Sequence, residues 1–205
     1  LIEHFITDNY WATQTFIDEY IPFCEYFVIP YDSWGFLLLA LGLYLIVKDA
    51  EGFRRYMWSI MLTFGFATIF CALVPNGQDL RPAVMEHHNL AAWLVEYTYS
   101  IDTNTNVFPS VHVVGSVGAA LAVWDSPRLR AHPLLRWGVP VLAALICLST
   151  LFIKPHSVLD VVIALVLSLL AAITLYPLPW TRANQLPLAF APRRFFMQFT
   201  PPPPA

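Results

Sequence analysis

A chain of 205 residues that is 58% hydrophobic and 12% charged, with a mean hydropathy of +0.58, carries about half the charge of an ordinary soluble domain. This composition excludes a water-soluble globule and places the chain in a membrane. The formal net charge of -3 averages over two faces of different sign, and it points to no nucleic-acid partner.

Residues 1–22 carry no signal-peptide pattern. Tyr10, Trp11, Phe16 and Tyr20 suit a membrane interface, so the stretch reads as a juxtamembrane helix within an external segment, residues 1–30. The first residue is Leu1, and an initiator methionine, with an upstream span or signal, is expected to be missing. Apolar runs follow at 34–47, 56–74, 107–124, 137–153 and 157–176, several near the roughly 20 residues a helix needs to cross a bilayer. They predict an all-α, polytopic membrane helix bundle with five spans in residues 31–176. The first run needs Pro30 to Ser33 to reach full length, and the last two are parted by Lys154 to His156 alone. Residues 177–205 are proline-rich and read as a cytoplasmic tail without a packed core.

Basic residues orient the bundle. Lys48, Arg54 and Arg55 follow the first span, Arg128, Arg130 and Arg136 the third, and Arg182, Arg193 and Arg194 the fifth. All three clusters fall on one side, which the positive-inside rule makes cytoplasmic. Arg81 and Lys154 fall on the other. Cys24, Cys71 and Cys147 are unpatterned and read as small apolar side chains, with no disulfide or metal role.

Three patches meet on the outer face. In Pro75-Asn76-Gly77-Gln78-Asp79-Leu80-Arg81-Pro82, the planar donor fork of Arg81 matches phosphate oxygens; it equally suits a lipid headgroup or Asp79. In Asn106-Val107-Phe108-Pro109-Ser110-Val111-His112, a proline can open the third span and leave unpaired amides near Ser110, an arrangement that attracts anions. His112 is then either a reactive group or an interior histidine with a hydrogen bond. In Ser149 to Asp160, His156 and Asp160 lie four residues apart, a spacing that shares one face of a helix. Asp160 can thus hold one ring nitrogen and leave the other to attack.

Arg81-Pro82, Pro109-Ser110-Val111-His112 and Ser149 with His156 and Asp160 resemble, in that order, the three signature motifs of the type-2 phosphatidic acid phosphatase superfamily. The resemblance covers roughly residues 74–160 and implies a six-helix membrane bundle whose first helix is absent here. It implies His156 as nucleophile, Asp160 as its orienting partner, His112 as acid and base, and Arg81 with Ser110 as phosphate ligands. No metal and no cofactor are implied. Three positions depart from the pattern: Val74 stands where a lysine is usual, Val111 where a glycine is, and Thr150 where an arginine is. Lys154 either restores one of the missing charges, as a further phosphate ligand, or is an interfacial lysine. The departures resemble the branch that includes inositol phosphorylceramide and sphingomyelin synthases.

The expected function is an integral-membrane lipid phosphatase of the cell membrane, acting on its non-cytoplasmic face through a phosphohistidine. A lipid headgroup phosphotransferase and a non-catalytic lipid-binding or transport protein are the alternatives. Its partners are the bilayer and a lipid phosphate substrate; nothing in the sequence fixes an oligomeric state. Glu86, His87 and His88 make no metal site, because adjacent helical residues diverge by about 100°. Pro82 to Ser100, with Trp93, Tyr97 and Tyr99, reads as an amphipathic piece on the outer surface.

Overall fold

The computed structural model describes residues 10–176. Among the described residues there are seven α-helices: α1 (Val28–Lys48), α2 (Ala50–Leu73), α3 (Leu90–Ile101), α4 (Val111–Asp125), α5 (Pro127–Arg130), α6 (Pro133–Phe152) and α7 (Val158–Leu175). Two-residue strands β1 (Trp11–Ala12) and β2 (Asn76–Gly77) pair in parallel. The result is an all-α polytopic bundle, in which α1, α2, α6 and α7 are long and apolar enough to cross a membrane.

Local chemistry sets the helix ends. Asp49 caps α2 by accepting from Gly52 N, which starts that helix six residues before the apolar run at 56. Pro133 opens α6 in the first-turn position where a missing N–H is harmless. The run at 107–124 is helical only from Val111, because Ser110 is an N-cap with extended backbone. At 15 residues, α4 rises roughly 22 Å, less than a bilayer core. It lies at the centre of the bundle, packed against α1, α2, α6 and α7.

The bundle is apolar outside and small or polar inside. Phe36, Leu39, Met61, Phe66, Leu148, Leu165 and Leu169 are exposed, a surface far larger than water tolerates and one that lipid covers. The buried stripe of α2 is Ser59, Thr63, Ala67 and Cys71, that of α7 Ala164, Ser168 and Ala171, and α4 buries Gly115, Ser116, Gly118 and Ala119. Small residues let backbones approach, the main source of packing energy where lipid removes the hydrophobic drive between helices. A Cβ on Gly115 would lie 2.8 Å from Trp34 Nε1, so this glycine sets how near α1 comes to α4.

Two of the basic clusters gather at one end. Arg55 places Nε and Nη2 2.7 and 2.6 Å from Asp125 Oδ2, and Arg128 donates to the carbonyl of Lys48 at 2.9 Å. Arg182, Arg193 and Arg194, with the proline-rich tail, lie outside the described residues. The other end carries α3, whose Leu90, Trp93, Tyr97 and Ile101 are exposed while Ala91, Ala92, Val95 and Thr98 are buried. That two-sided pattern fits the amphipathic piece expected there.

Of the stretch expected as a juxtamembrane helix, residues 1–9 lie outside the described residues, and from Tyr10 onward no α-helix forms before Val28. From Tyr10 it is a strap, made of β1 and a 3₁₀ turn over Phe16–Tyr20, that crosses the end of the bundle holding α3. Its register sets Trp11 beside Asn76 and Ala12 beside Gly77. Gly77 is required there: a Cβ would come within 2.9 Å of both Asn104 O and the Tyr10 ring. Asp18, 2% exposed, accepts from Val158 N at 2.7 Å and so caps α7 from the far end of the sequence. Long-range capping adds to the local cap because Ser157 serves Asp160 N, whereas Val158 N, in the first turn of α7, finds its acceptor in Asp18. Asp18→Ala is expected to destabilise the protein by about 1–3 kcal/mol, read as a lower midpoint in thermal unfolding in detergent.

Candidate active site

His156 lies on a turn, not on a helix. α6 ends at Phe152, and Lys154 takes a left-handed backbone with φ 61, uncommon for a long side chain. Three contacts hold that turn: Gln78 Nε2 donates to the carbonyls of Lys154 at 2.9 Å and Pro155 at 3.0 Å, and His156 N donates to Thr150 O at 3.2 Å. Ser157 is the N-cap of α7, in a capping box with Asp160. His156 therefore precedes the cap, and it approaches Asp160 through the capping turn, not through helical periodicity. Its Nδ1 is 3.6 Å from Asp160 Oδ2, just beyond hydrogen-bond length, and the same carboxylate oxygen accepts from Ser157 N at 2.8 Å.

His112, in the first turn of α4, presents its ring 5.7 Å from that of His156, inclined at 60°. Two aromatic rings of α1 bracket it: Tyr31 at 4.3 Å and Trp34 at 4.3 Å. Tyr31 also donates to Asp102 Oδ2, a short link from α1 to the loop after α3. Both histidines line a cavity of about 370 Å³, together with Thr68, Cys71, Asp102, Thr105, Asn106 and Val111. His112 Nδ1, His156 Nδ1 and Asp160 Oδ1 are buried with no hydrogen-bond partner. Polar atoms in that state are uncommon in folded proteins and call for a partner such as a water or a ligand.

The structure brings His112, His156 and Asp160 together, with Ser110 beside them. Ser110 is fully buried, accepts from Val113 N at 3.4 Å, and donates its own amide to Asp160 O at 3.4 Å, joining the starts of α4 and α7. Arg81 does not line the cavity. Its Nη2 donates to the carbonyls of Asp102 and Thr103 at 2.7 and 2.8 Å, and Nη1 to Tyr99 O at 3.3 Å, while the guanidinium lies 4.3 Å over the Tyr99 ring. It closes the C-terminus of α3, where carbonyls lack helical partners. Burial lowers its pKa from the ordinary value, opposed by Asp102, Tyr99 and Tyr31, and a guanidinium stays charged regardless. Its Nε is buried without a partner.

Lys154 plays a similar part. Its ammonium donates to Asp18 O at 2.8 Å and Ile21 O at 2.6 Å, tying the strap to the hinge. Cys71 is more than an apolar filler, for its thiol donates to Phe108 O at 3.1 Å. His87 pairs with Glu25 at 3.1 Å, and among the described residues no three His, Cys, Asp or Glu side chains are placed to hold a metal ion.

Several residues of the site carry no signal in the sequence. Tyr31 and Trp34, three apart on an apolar helix, look like ordinary lipid-facing aromatics. Asp102 sits in a polar loop with nothing to mark it. Asn76 and Gln78 fall within the first patch, and their clue is two amides beside an otherwise apolar helix end. Both are fully buried. Asn76 accepts from Phe108 N at 2.9 Å, so the two hold the second and third motifs in place.

The described residues form a polytopic membrane helix bundle that sets two histidines at one cavity, one near a carboxylate and the other at a helix start. The chain belongs to the PAP2 superfamily, the type-2 phosphatidic acid phosphatase superfamily, whose family model matches residues 4–174. Neither the curated proteins nor the solved structures compared with it yield a match.

Proposed function

We propose that this protein hydrolyses a lipid phosphate monoester or diphosphate through a phosphohistidine, without a metal, at the non-cytoplasmic face of the cell membrane. The observation that carries the reading is the pairing of the His112 and His156 rings, 5.7 Å apart at one cavity. Because Nδ1 of His156 faces Asp160, Nε2 attacks phosphorus. The bond from phosphorus to the lipid oxygen breaks, and protonated His112 gives its proton to that oxygen. His112 then takes a proton from water as the water oxygen bonds phosphorus and the nitrogen–phosphorus bond breaks. The first-turn amides of α4, beyond the Ser110 cap, hold the phosphoryl oxygens, and Arg81, outside the cavity, acts by fixing the loop after α3 through the carbonyls of Asp102 and Thr103. Lys154 acts from the hinge, by holding the turn that carries His156.

Transfer to a lipid hydroxyl is the second reading. Val74 and Thr150, which bear no charge where the family usually has cations, favour it. Purified protein in detergent with EDTA, given radiolabelled lipid phosphates with and without diacylglycerol, inositol lipids or ceramide, separates the readings. Label appearing as inorganic phosphate supports hydrolysis. Label moving to an acceptor supports transfer, and lipid bound without turnover leaves a binding protein. A need for a divalent ion overturns the metal-free mechanism.

The orientation has its own test. With the native cysteines replaced, an impermeant thiol reagent is expected to label Ala83→Cys in intact cells and to spare Ala131→Cys. Reversed labelling places the cavity on the cytoplasmic face.

A further inference from the structure

Asn106 lines the cavity shared by His112 and His156, and both polar atoms of its side chain, Oδ1 and Nδ2, are buried without a partner. One orphaned donor or acceptor in a protein interior costs about 1–3 kcal/mol. A carboxamide with both ends unmet, on a residue of the cavity wall, is matched by a ligand that offers both an acceptor and a donor once it reaches them. The backbone keeps it there. Asn106 sits at φ 58, a left-handed conformation that asparagine tolerates better than most residues. Its amide donates to Asn76 O at 2.7 Å, and the Asn76 side chain accepts from Phe108 N two residues on. A strained residue pinned from both sides is characteristic of binding and reaction sites.

A phosphoryl group by itself meets half of this requirement. Its oxygens accept from Nδ2 but repel Oδ1. Water beside it completes the match. We infer that Asn106 is a catalytic residue of the dephosphorylation half-reaction, donating from Nδ2 to a phosphoryl oxygen of the phosphohistidine and accepting at Oδ1 one hydrogen of the attacking water. The other proton of that water passes to His112. The water oxygen bonds phosphorus as the bond to His156 Nε2 breaks, the electron pair returns to the imidazole, and inorganic phosphate leaves. This assignment rests on the phosphohistidine reading and extends it, because it makes Asn106 matter more to the second half than to the first.

The test uses the full chain in detergent with radiolabelled phosphatidic acid and rapid quenching. Asn106→Gly keeps the left-handed backbone and removes the carboxamide; Asn106→Asp keeps an acceptor and loses the donor. Asn106→Gly is expected to release diacylglycerol in a first-turnover burst within about twofold of the native rate, while steady-state phosphate release falls roughly 10²-fold. Asn106→Asp, whose carboxylate repels the phosphoryl oxygens, slows the burst as well but slows steady-state release further. Acid-labile phosphoprotein then accumulates. If Asn106→Gly fails to fold, as thermal unfolding reports, Asn106→Asp decides. Native steady-state turnover in the folded variants, or equal slowing of burst and steady state, overturns the role of Asn106 alone. Absence of phosphoprotein in the native protein overturns the phosphohistidine reading and this inference with it.

Discussion

His156→Gln is expected to lower lipid phosphate turnover by at least about 10⁴-fold with little change in thermal stability. Glutamine fills much of the ring's volume and keeps a polar end near Asp160, but its amide cannot form a bond to phosphorus. The choice of glutamine over alanine follows from burial: His156 is 5% exposed, and a truncated side chain would leave a hole beside the hinge. Phosphate release and acid-labile labelling of the protein should vanish together. Asp160→Asn is expected to cost less, because asparagine still caps the first turn of α7 with a side-chain oxygen while losing the charge beside the imidazole. Retention of full activity by His156→Gln would falsify the nucleophile assignment.

For His112→Asn, the loss expected with a lipid phosphate is about 10²–10⁴-fold, the usual worth of general acid–base assistance. With an aryl phosphate such as p-nitrophenyl phosphate the first half should be nearly spared, because that leaving oxygen departs without a proton. The variant should therefore release p-nitrophenol in a burst and then stall for want of a base. Equal slowing of the first-turnover burst with both substrates would mean that His112 binds substrate and moves no proton in the first half. The bracket of Tyr31 and Trp34 supplies a control: Trp34→Phe retains a ring at the 4.3 Å contact, and it should lower activity far less than loss of His112.

Much of this was legible in the residues. Apolar runs gave the bundle because lipid demands long helices whose backbone groups satisfy one another. The order of Arg81, Ser110, His112, His156 and Asp160 was enough to reveal the family. The ends of the runs were less legible. The third run opens at 107 by composition but at Val111 in the fold, since Ser110 takes an extended conformation to cap α4. His156 and Asp160 do lie near one another, 3.6 Å from Nδ1 to Oδ2, for a reason that the fold replaces. Helical spacing suggested their approach, whereas a capping box on Ser157 makes it.

What the sequence by itself determined is therefore the helical bundle, the family and the position of the candidate motifs at span ends, because periodicity, caps and motif order are local properties of the chain. Which atom each charged group faces was decided by the tertiary structure. Arg81 and Lys154 read equally well as phosphate ligands or interfacial cations, yet both turn their donors to main-chain carbonyls, at the end of α3 and at the 3₁₀ turn of the strap. Asp18, one of several acidic residues before the first span, caps a helix that begins at Val158. A buried carbonyl or amide recruits whichever side chain the fold brings within reach. That partner can lie more than a hundred residues away, and no local pattern records it.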